Sequence, residues 1–498
     1  MTPAERNRLA LSDFFARPVD ALLRDRAARS AEDAALAIFR DAAGSVPAYR
    51  DRLRARGVDA RAVETIEDFR ALPLLTKDDY VQLYPLAERC RHGRLDGCEA
   101  LALSSGSTGE PTVWARAAAD ELAVAARFEQ VFRAFGADRL RTLAVVTFPL
   151  GTWVGGIYTT ACCRWLAAKG FPVTVVSPGN VAAEVLRVVP ALGPLFEQVV
   201  LLGYPPFVKA LVDEGTARGV RWADHRLKLV LAGEVFTEEW RTLVSRRASI
   251  GRPTHDVASL YGTADAGVLG NETPLTVAIR RLAAARPELG RALFGEARLP
   301  TLVQYDPHVR FLEVTPEGTL LFTCDGPAPL VRYHISDRGG LLGYAEMMQL
   351  LAENAADPFV EIDRADPSLN ELPFAYVFGR SHNAVSYYGA NVFPEMVSVG
   401  LEQPGLAEQV TGKFVMSVRE DADRDTHFHV IVELAAGVVP SSDLAATMAG
   451  VMGLHVARLS GEYAAYVPRE RQAPRIELRP LGDPEYFPVG VKHRWTRR

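Results

Sequence analysis

Ser104, Ser105, Gly106, Ser107, Thr108 and Gly109 run consecutively into Glu110 and Pro111, concentrating hydroxyls and glycines in one short segment. Glycine lets a backbone turn with positive φ and approach an anion closely, while Ser and Thr add donors that carry no fixed charge. Such a segment can wrap a polyphosphate. It lacks the Gly-Lys-Ser/Thr ending of a P-loop, which excludes a Walker-type site, and a solvated Ser/Gly turn is the other reading of the same residues. The apolar run Ala100–Leu103 before it reads as a short buried strand, so the loop is expected to leave a sheet edge.

Two more loops carry suitable residues. Gly233 and Glu234 follow the strand-like run Leu229–Ala232, and Tyr261, Gly262, Thr263, Ala264 and Asp265 follow Val257–Leu260. A Tyr-Gly pair suits a flat base stacking on a ring beside an unhindered backbone. The acid four positions after the Tyr could hold Mg2+ or cap a helix N-terminus. Later, Asp337 closes the run Pro329-Leu330-Val331-Arg332-Tyr333-His334-Ile335-Ser336-Asp337. One carboxylate can accept both O–H donors of a cis-diol, although a lone Asp is usually a surface residue. Near the end, Lys492 stands in the run Pro488–Arg494, for which a basic tail is the plain alternative.

The elements that must position these residues alternate. Leu143–Phe148, Val173–Val176, Val199–Leu202, Leu227–Ala232 and Val257–Leu260 are short Leu-rich or β-branched runs, separated by helical stretches such as Ala182–Leu192 and Pro206–Glu214. That pattern predicts an α/β fold with a largely parallel sheet, in which ligands bind beyond the carboxyl ends of the strands. Upstream, residues to about Arg56 read as an amphipathic helical preface with Ala35, Phe39 and Ala42 on one face. Thr65 with Asp68 and Thr76 with Asp79 read as capping boxes, and Ala117–Phe135 as a long helix. Downstream, Thr301–Tyr305, Val309–Val314 and Thr319–Cys324, with a turn at Pro316-Glu317-Gly318, read as a β-rich subdomain.

At 498 residues the chain is too long for one ordinary core, and its net charge of -5 gives no nucleic-acid footprint. Five cysteines, Cys90, Cys98, Cys162, Cys163 and Cys324, show no CxxC pairing, which fits a reducing cytoplasm better than a disulfide or thiolate–zinc framework. The charged amino terminus is not expected to be a signal peptide. The uncharged stretch from Thr142 to Cys163 is long enough to raise the question of a membrane span, but Pro149, Gly151, Gly155 and Gly156 would break a lipid-exposed helix. A buried strand, a Gly-rich loop and a helix are expected there instead.

In order and content these motifs resemble those of adenylate-forming enzymes, and in particular the phenylacetate–coenzyme A ligase branch, which also carries Thr after the proline of its phosphate loop. The resemblance covers Ser104 to Lys492. It implies a large adenylation domain over residues 1–378, with mostly parallel sheets and the β-rich subdomain, and a small mobile α+β domain over 379–498. It implies that the 104–109 loop, Gly233, Glu234, Tyr261, Gly262, Thr263, Asp337 and Arg380 bind ATP, with Asp337 taking the ribose hydroxyls and Asp265 the Mg2+. Lys492 corresponds to the catalytic lysine. Trp153, Gly155, Tyr158 and Tyr204, with Phe207, follow strands in the order that builds the family's acyl pocket, and aromatic walls suit an aryl acid, though each could be core. Gly389 and Asn391-Val392-Phe393-Pro394 match the segment lining the thiol channel.

The implied reaction is activation of a carboxylic acid to an acyl-adenylate, followed by transfer to a thiol such as coenzyme A. A carrier-protein or amine acceptor, or a degenerate nucleotide-binding relative, are the alternatives. The sequence departs from the family pattern at Ala264, which removes a hydroxyl, at Asp265, one methylene shorter than the usual Glu, at His382 and Asn383 in place of an acidic hinge, and at Tyr388. The Gly-to-Lys492 spacing is one residue looser. Neither nucleic acid nor membrane is expected as a partner.

Overall fold

The computed structural model describes all residues except 1, 105–111, 153, 234, 367, 381–383, 388–389, 422–425, 461–462, 465–466, 468, 489–492, 494 and 497–498. The alternating runs fold as expected. β3 (Thr142–Val146), β4 (Val173–Val176), β5 (Gln198–Gly203), β6 (Lys228–Ala232) and β7 (Val257–Thr263) stand in parallel in the order β4-β3-β5-β6-β7. Their side chains alternate between two cores. Ala144, Val146, Val200, Leu202 and Val230 pack with the helices Ala118–Ala134 and Val154–Ala168 on one face, whereas Leu143, Val145, Leu201 and Leu229 pack with Ala182–Leu192 and Pro205–Ala217 on the other.

The β-rich stretch joins this sheet rather than standing beside it. β8 (Gly267–Asn271), β9 (Thr301–Gln304), β10 (Phe311–Val314), β11 (Thr319–Cys324), β12 (Leu330–Leu342) and β13 (Phe374–Arg380) extend it antiparallel from β7 in the order β8-β9-β13-β12-β11-β10, giving eleven strands. The turn at 316–318 is present, with Gly318 at φ 76°. The helical preface covers this half: Ala35, Phe39 and Ala42 share a core with Leu320, Phe322 and Tyr333. Both capping boxes form, Thr65 accepting from Asp68 N and Thr76 from Asp79 N.

The strand before the phosphate-loop candidate is not an edge of that sheet. Among the described residues β1 (Ala100–Ser104) pairs only with β2 (Thr112–Arg116), an antiparallel hairpin in which Ser104 stands opposite Thr112 in register. β1 is tied to the large sheet's loops through Leu103 N, which donates to the Thr152 carbonyl at 2.9 Å.

Beyond β13 a separate core forms. The hairpin β14 (Val385–Tyr387) and β15 (Ala390–Val392) precedes a three-stranded sheet of β16 (Val410–Glu420), β17 (Thr426–Leu434) and β18 (Arg475–Arg479), packed on the helices Pro394–Leu401 and Ser442–Leu459. It touches the parallel half through Lys209, whose ammonium donates to the Val410 carbonyl at 2.9 Å, through Arg247 to the Ala407 carbonyl at 3.2 Å, and through Thr237, which donates to Glu402. Among the described residues no helix is long and apolar enough to cross a membrane, and all five cysteines are free.

Candidate active site

The carboxyl ends of β3, β5, β6 and β7 open onto one set of loops. After β6, Gly233 takes φ 84°, and a Cβ there would lie 2.5 Å from the Tyr204 ring, so only glycine allows that ring to lie against this backbone. Tyr204 in turn meets Phe148 edge to face at 5.0 Å, and a side chain at Gly155 would reach Phe148 at 3.8 Å. Tyr158 is buried in the same core, so Gly155, Tyr158, Tyr204 and Gly233 lie around one aromatic cluster. Phe207 does not join it: it packs on the opposite face of the sheet. Trp153 and Glu234 lie outside the described residues.

The chain after Gly233 is held by buried charges. Arg280 donates to the Phe236 carbonyl at 2.9 Å and to Glu272 at 2.8 Å. Arg241 also donates to Glu272 at 2.8 Å and to the Val257 carbonyl at 2.6 Å, while Glu272 accepts from Ser259 N at 2.8 Å. Burial opposes ionisation of Glu272, yet the two guanidinium groups hold its carboxyl below the ordinary range.

Tyr261, Gly262 and Thr263 were expected on a loop; they form the last residues of β7, which turns at 264–266 straight into β8. Gly262 makes this possible, because a Cβ there would lie 2.6 Å from the Gly267 carbonyl oxygen, at a register shift between Tyr261 and Gly262. The Tyr261 hydroxyl donates to Asp337 at 2.7 Å. Asp337 is buried, follows Ser336 at φ 58°, sits in a register shift against β11 and pairs directly with Arg380 across β12 and β13. Three motifs far apart in sequence therefore converge at one end of the sheet.

The 264–266 turn is bound from behind. Arg116 Nη2 donates to the carbonyls of Ala264 and of Asp265, the second at 3.0 Å, Arg310 donates to that of Ala266 at 2.7 Å, and Ala266 N donates to Thr263 Oγ1 at 3.1 Å. Thr263's hydroxyl thus serves the turn. Among the described residues no group of three or more His, Cys, Asp or Glu gathers for a metal. Asp265 alone still fits Mg2+, which commonly keeps its waters and binds one or two carboxylates plus substrate phosphates.

Ser104 belongs to β1, and Ser105, Gly106, Ser107, Thr108 and Gly109 lie outside the described residues, as do His382, Asn383, Tyr388, Gly389 and Lys492. The described residues nearest to Lys492 are packed. Phe487 is buried and stacks on His493 at 5.8 Å, and His493 bonds the Phe414 carbonyl at 2.6 Å and lies 4.5 Å from Trp495. Burial pushes the His493 imidazole down to about 4, so it is neutral here.

The fold and the sequence have known counterparts. A phenylacetate-coenzyme A ligase from Aromatoleum evansii is 25% identical over 398 residues, 78% of this chain and 77% of that protein. A 2-hydroxyisobutyryl-CoA ligase crystallised in the postadenylation state with R3-HIB-AMP superposes with a TM-score of 0.64, covering 94% of this chain and 87% of that one at 14% identity. The same ligase with 2-HIB-AMP and CoA in the thioesterification state gives 0.52 at 15% identity, covering 94% and 89%. By sequence the chain is similar to that phenylacetate-coenzyme A ligase, and it shares its fold with the crystallised CoA ligase. No family model matches it.

Besides Arg241 and Arg280, three further buried arginines went unread in the sequence. Arg116 and Arg310 hold the 264–266 turn. Arg298 donates to the Phe378 carbonyl at 3.0 Å and lies over the rings of Phe378 at 4.4 Å and Phe393 at 3.9 Å, joining β13 to the chain after β15. For Arg116 a signal existed: it falls in phase with Trp114 on a strand, where an inward cation needs a partner. Arg298 lies in an irregular stretch where no periodicity marks it, and Arg310 falls in the run 309–314 read as a strand but stands just ahead of β10.

Proposed function

We propose that the protein is an AMP-forming acid–thiol ligase that activates a carboxylic acid with ATP and passes the acyl group to coenzyme A. The observation that carries this reading is the meeting of Tyr261 with Asp337 at 2.7 Å, opposite Arg380, at the end of the sheet where the Gly233 loop and the 264–266 turn also lie. Asp337 accepts from the ribose hydroxyls, Tyr261 and Gly262 flank the base, and the 104–109 loop with Gly233 and Glu234 surrounds the phosphates. Asp265 would hold Mg2+, which when bound offsets phosphate charge. The carboxylate attacks the α-phosphorus in line and pyrophosphate leaves, so the protein's task is positioning and charge neutralisation. Lys492 bridges acid and α-phosphate.

The acid lies among Gly155, Tyr158, Tyr204 and Trp153, and the edge-to-face pair of Tyr204 and Phe148 supports a flat aryl substrate. The chain divides near 378/379, at the end of β13, and the small domain turns beyond Arg380 to bring Gly389 and Asn391 to the thiol. The free cysteines support a cytoplasmic setting. A carrier-protein thiol is the second acceptor of the same chemistry.

The test supplies ATP, Mg2+ and a panel of aryl acids and follows pyrophosphate exchange, AMP and acyl-coenzyme A. Exchange with acyl-coenzyme A formation is expected. AMP without thioester over many turnovers would leave only the adenylation half, and no exchange with any acid would remove the enzyme assignment.

A further inference from the structure

We propose that Arg116 is a positioning residue for the metal-binding turn, acting through the backbone of Ala264 and Asp265. This rests on the reading of Asp265 as the Mg2+ ligand. Arg116 ends β2, the strand that leaves the phosphate-loop segment, and its own backbone is pinned there, its carbonyl accepting from Glu99 N at 2.8 Å. Its guanidinium is buried, lies 5.6 Å over the Tyr158 ring, and gives two carbonyls of the turn a donor from one nitrogen, the second at 3.0 Å. With Arg310 on the third carbonyl, the backbone of all three turn residues is held from the protein side. A turn of three residues between two paired strands has few other restraints, and the two N–H groups of one planar guanidinium nitrogen are fixed in direction as well as distance. Arg116 therefore couples three parts of the site: the base of the phosphate-loop hairpin, the pocket residue Tyr158 and the turn bearing Asp265.

The sign of the effect separates positioning from charge. A guanidinium near Asp265 repels Mg2+, so removing its charge alone would tighten metal binding. Loss of positioning would weaken it. Groups that orient metal ligands typically change metal affinity by 10-fold or more when removed.

The experiment uses the full chain. ATP binding is measured by titration calorimetry at increasing Mg2+ for wild type, Arg116→Met, Arg116→Lys, Asp265→Asn and the double variant Arg116→Met/Asp265→Asn. Arg116→Met is expected to raise the half-saturating Mg2+ roughly tenfold. Arg116→Lys, which keeps the charge but loses the planar, fixed donor nitrogen, should fall between it and wild type. The double variant should match Asp265→Asn alone, because both act through one ligand. If Arg116→Met does not fold, Arg116→Lys carries the test. A wild-type or lowered Mg2+ midpoint in the Arg116 variants, with Asp265→Asn clearly shifted, overturns this inference alone. An Asp265→Asn curve that coincides with wild type overturns the metal assignment and this inference together.

Discussion

Tyr261 on β7 and Asp337 on β12, 76 positions apart and on strands separated by three others in the sheet, share a 2.7 Å hydrogen bond. If Asp337 takes the ribose hydroxyls, its contacts are the same in ground and transition states. Asp337→Ala should then raise the KM for ATP by roughly 10- to 100-fold while sparing kcat. Tyr261→Phe, which deletes only the hydroxyl, should cost about 1 kcal/mol, or roughly fivefold. The ATP dependence of pyrophosphate exchange measures both, and an unchanged ATP affinity in Asp337→Ala would detach that residue from the nucleotide.

Lys492→Ala should lower adenylation by roughly 10²–10³ with ATP binding largely kept, the scale of losing one charge-stabilising donor in a transition state. The readout is the exchange rate at saturating ATP and acid. Wild-type exchange would return the lysine to the surface.

Gly233→Ala places a Cβ 2.5 Å from the Tyr204 ring at φ 84° and has to displace that ring. The KM for the acid should rise by more than about tenfold, the equivalent of 1.4 kcal/mol, with a smaller change in ATP affinity. Equal losses for both substrates would show general loosening of the site.

Arg241 and Arg280 also pair with buried Glu238, at 2.9 and 3.2 Å, so Glu272→Gln leaves them with half of their buried counter-charge. Removing one partner of a buried ion group typically costs about 3–5 kcal/mol. Chemical denaturation of the full chain should show an early transition of that size, and a curve overlaying wild type would mean that the network relaxes around the amide.

Contact between the two cores should depend on pH through Glu402. Burial pushes its carboxyl up to about 8, with Thr237 donating to it, Glu239 nearby as a second acid and Lys209 as the opposing cation. A folded value above the ordinary 4.5 means that the contact contributes fully below about pH 4.5 and loses that contribution as pH rises through about 8. A distance probe between residues on the two cores should therefore report looser docking from acid to alkaline pH, and Glu402→Gln should flatten the profile. A pH response identical in Glu402→Gln would assign it to other groups.

Periodicity made much of this fold legible. The parallel strands and Ala182–Leu192 follow from alternating apolar runs and a 3.6-residue repeat, because each buries its own face. Two features did not follow. β2 is a strand only because β1 folds back onto it, and the end of β7 reads as a loop until its pairing with β8 is known. The Tyr261–Asp337 contact had a motif at each end but no local signal of their meeting, since a hydrogen bond between distant strands leaves no pattern in either. The partners of Arg116, Arg298 and Arg310 are backbone carbonyls, which have no residue type to read, so even the inward phase of Arg116 could not say what it holds.

β13 is the last strand of the large sheet to be made, yet it lies between β9 and β12. A growing polypeptide therefore cannot complete the sheet until Arg380 has left the ribosome. Before that, β9 and β12 each present an unpaired edge, and open edges recruit strands from other molecules. A chain cut short ahead of Phe374 keeps both edges permanently, so truncations meant to isolate the large half have to include residue 380 to stay free of self-association.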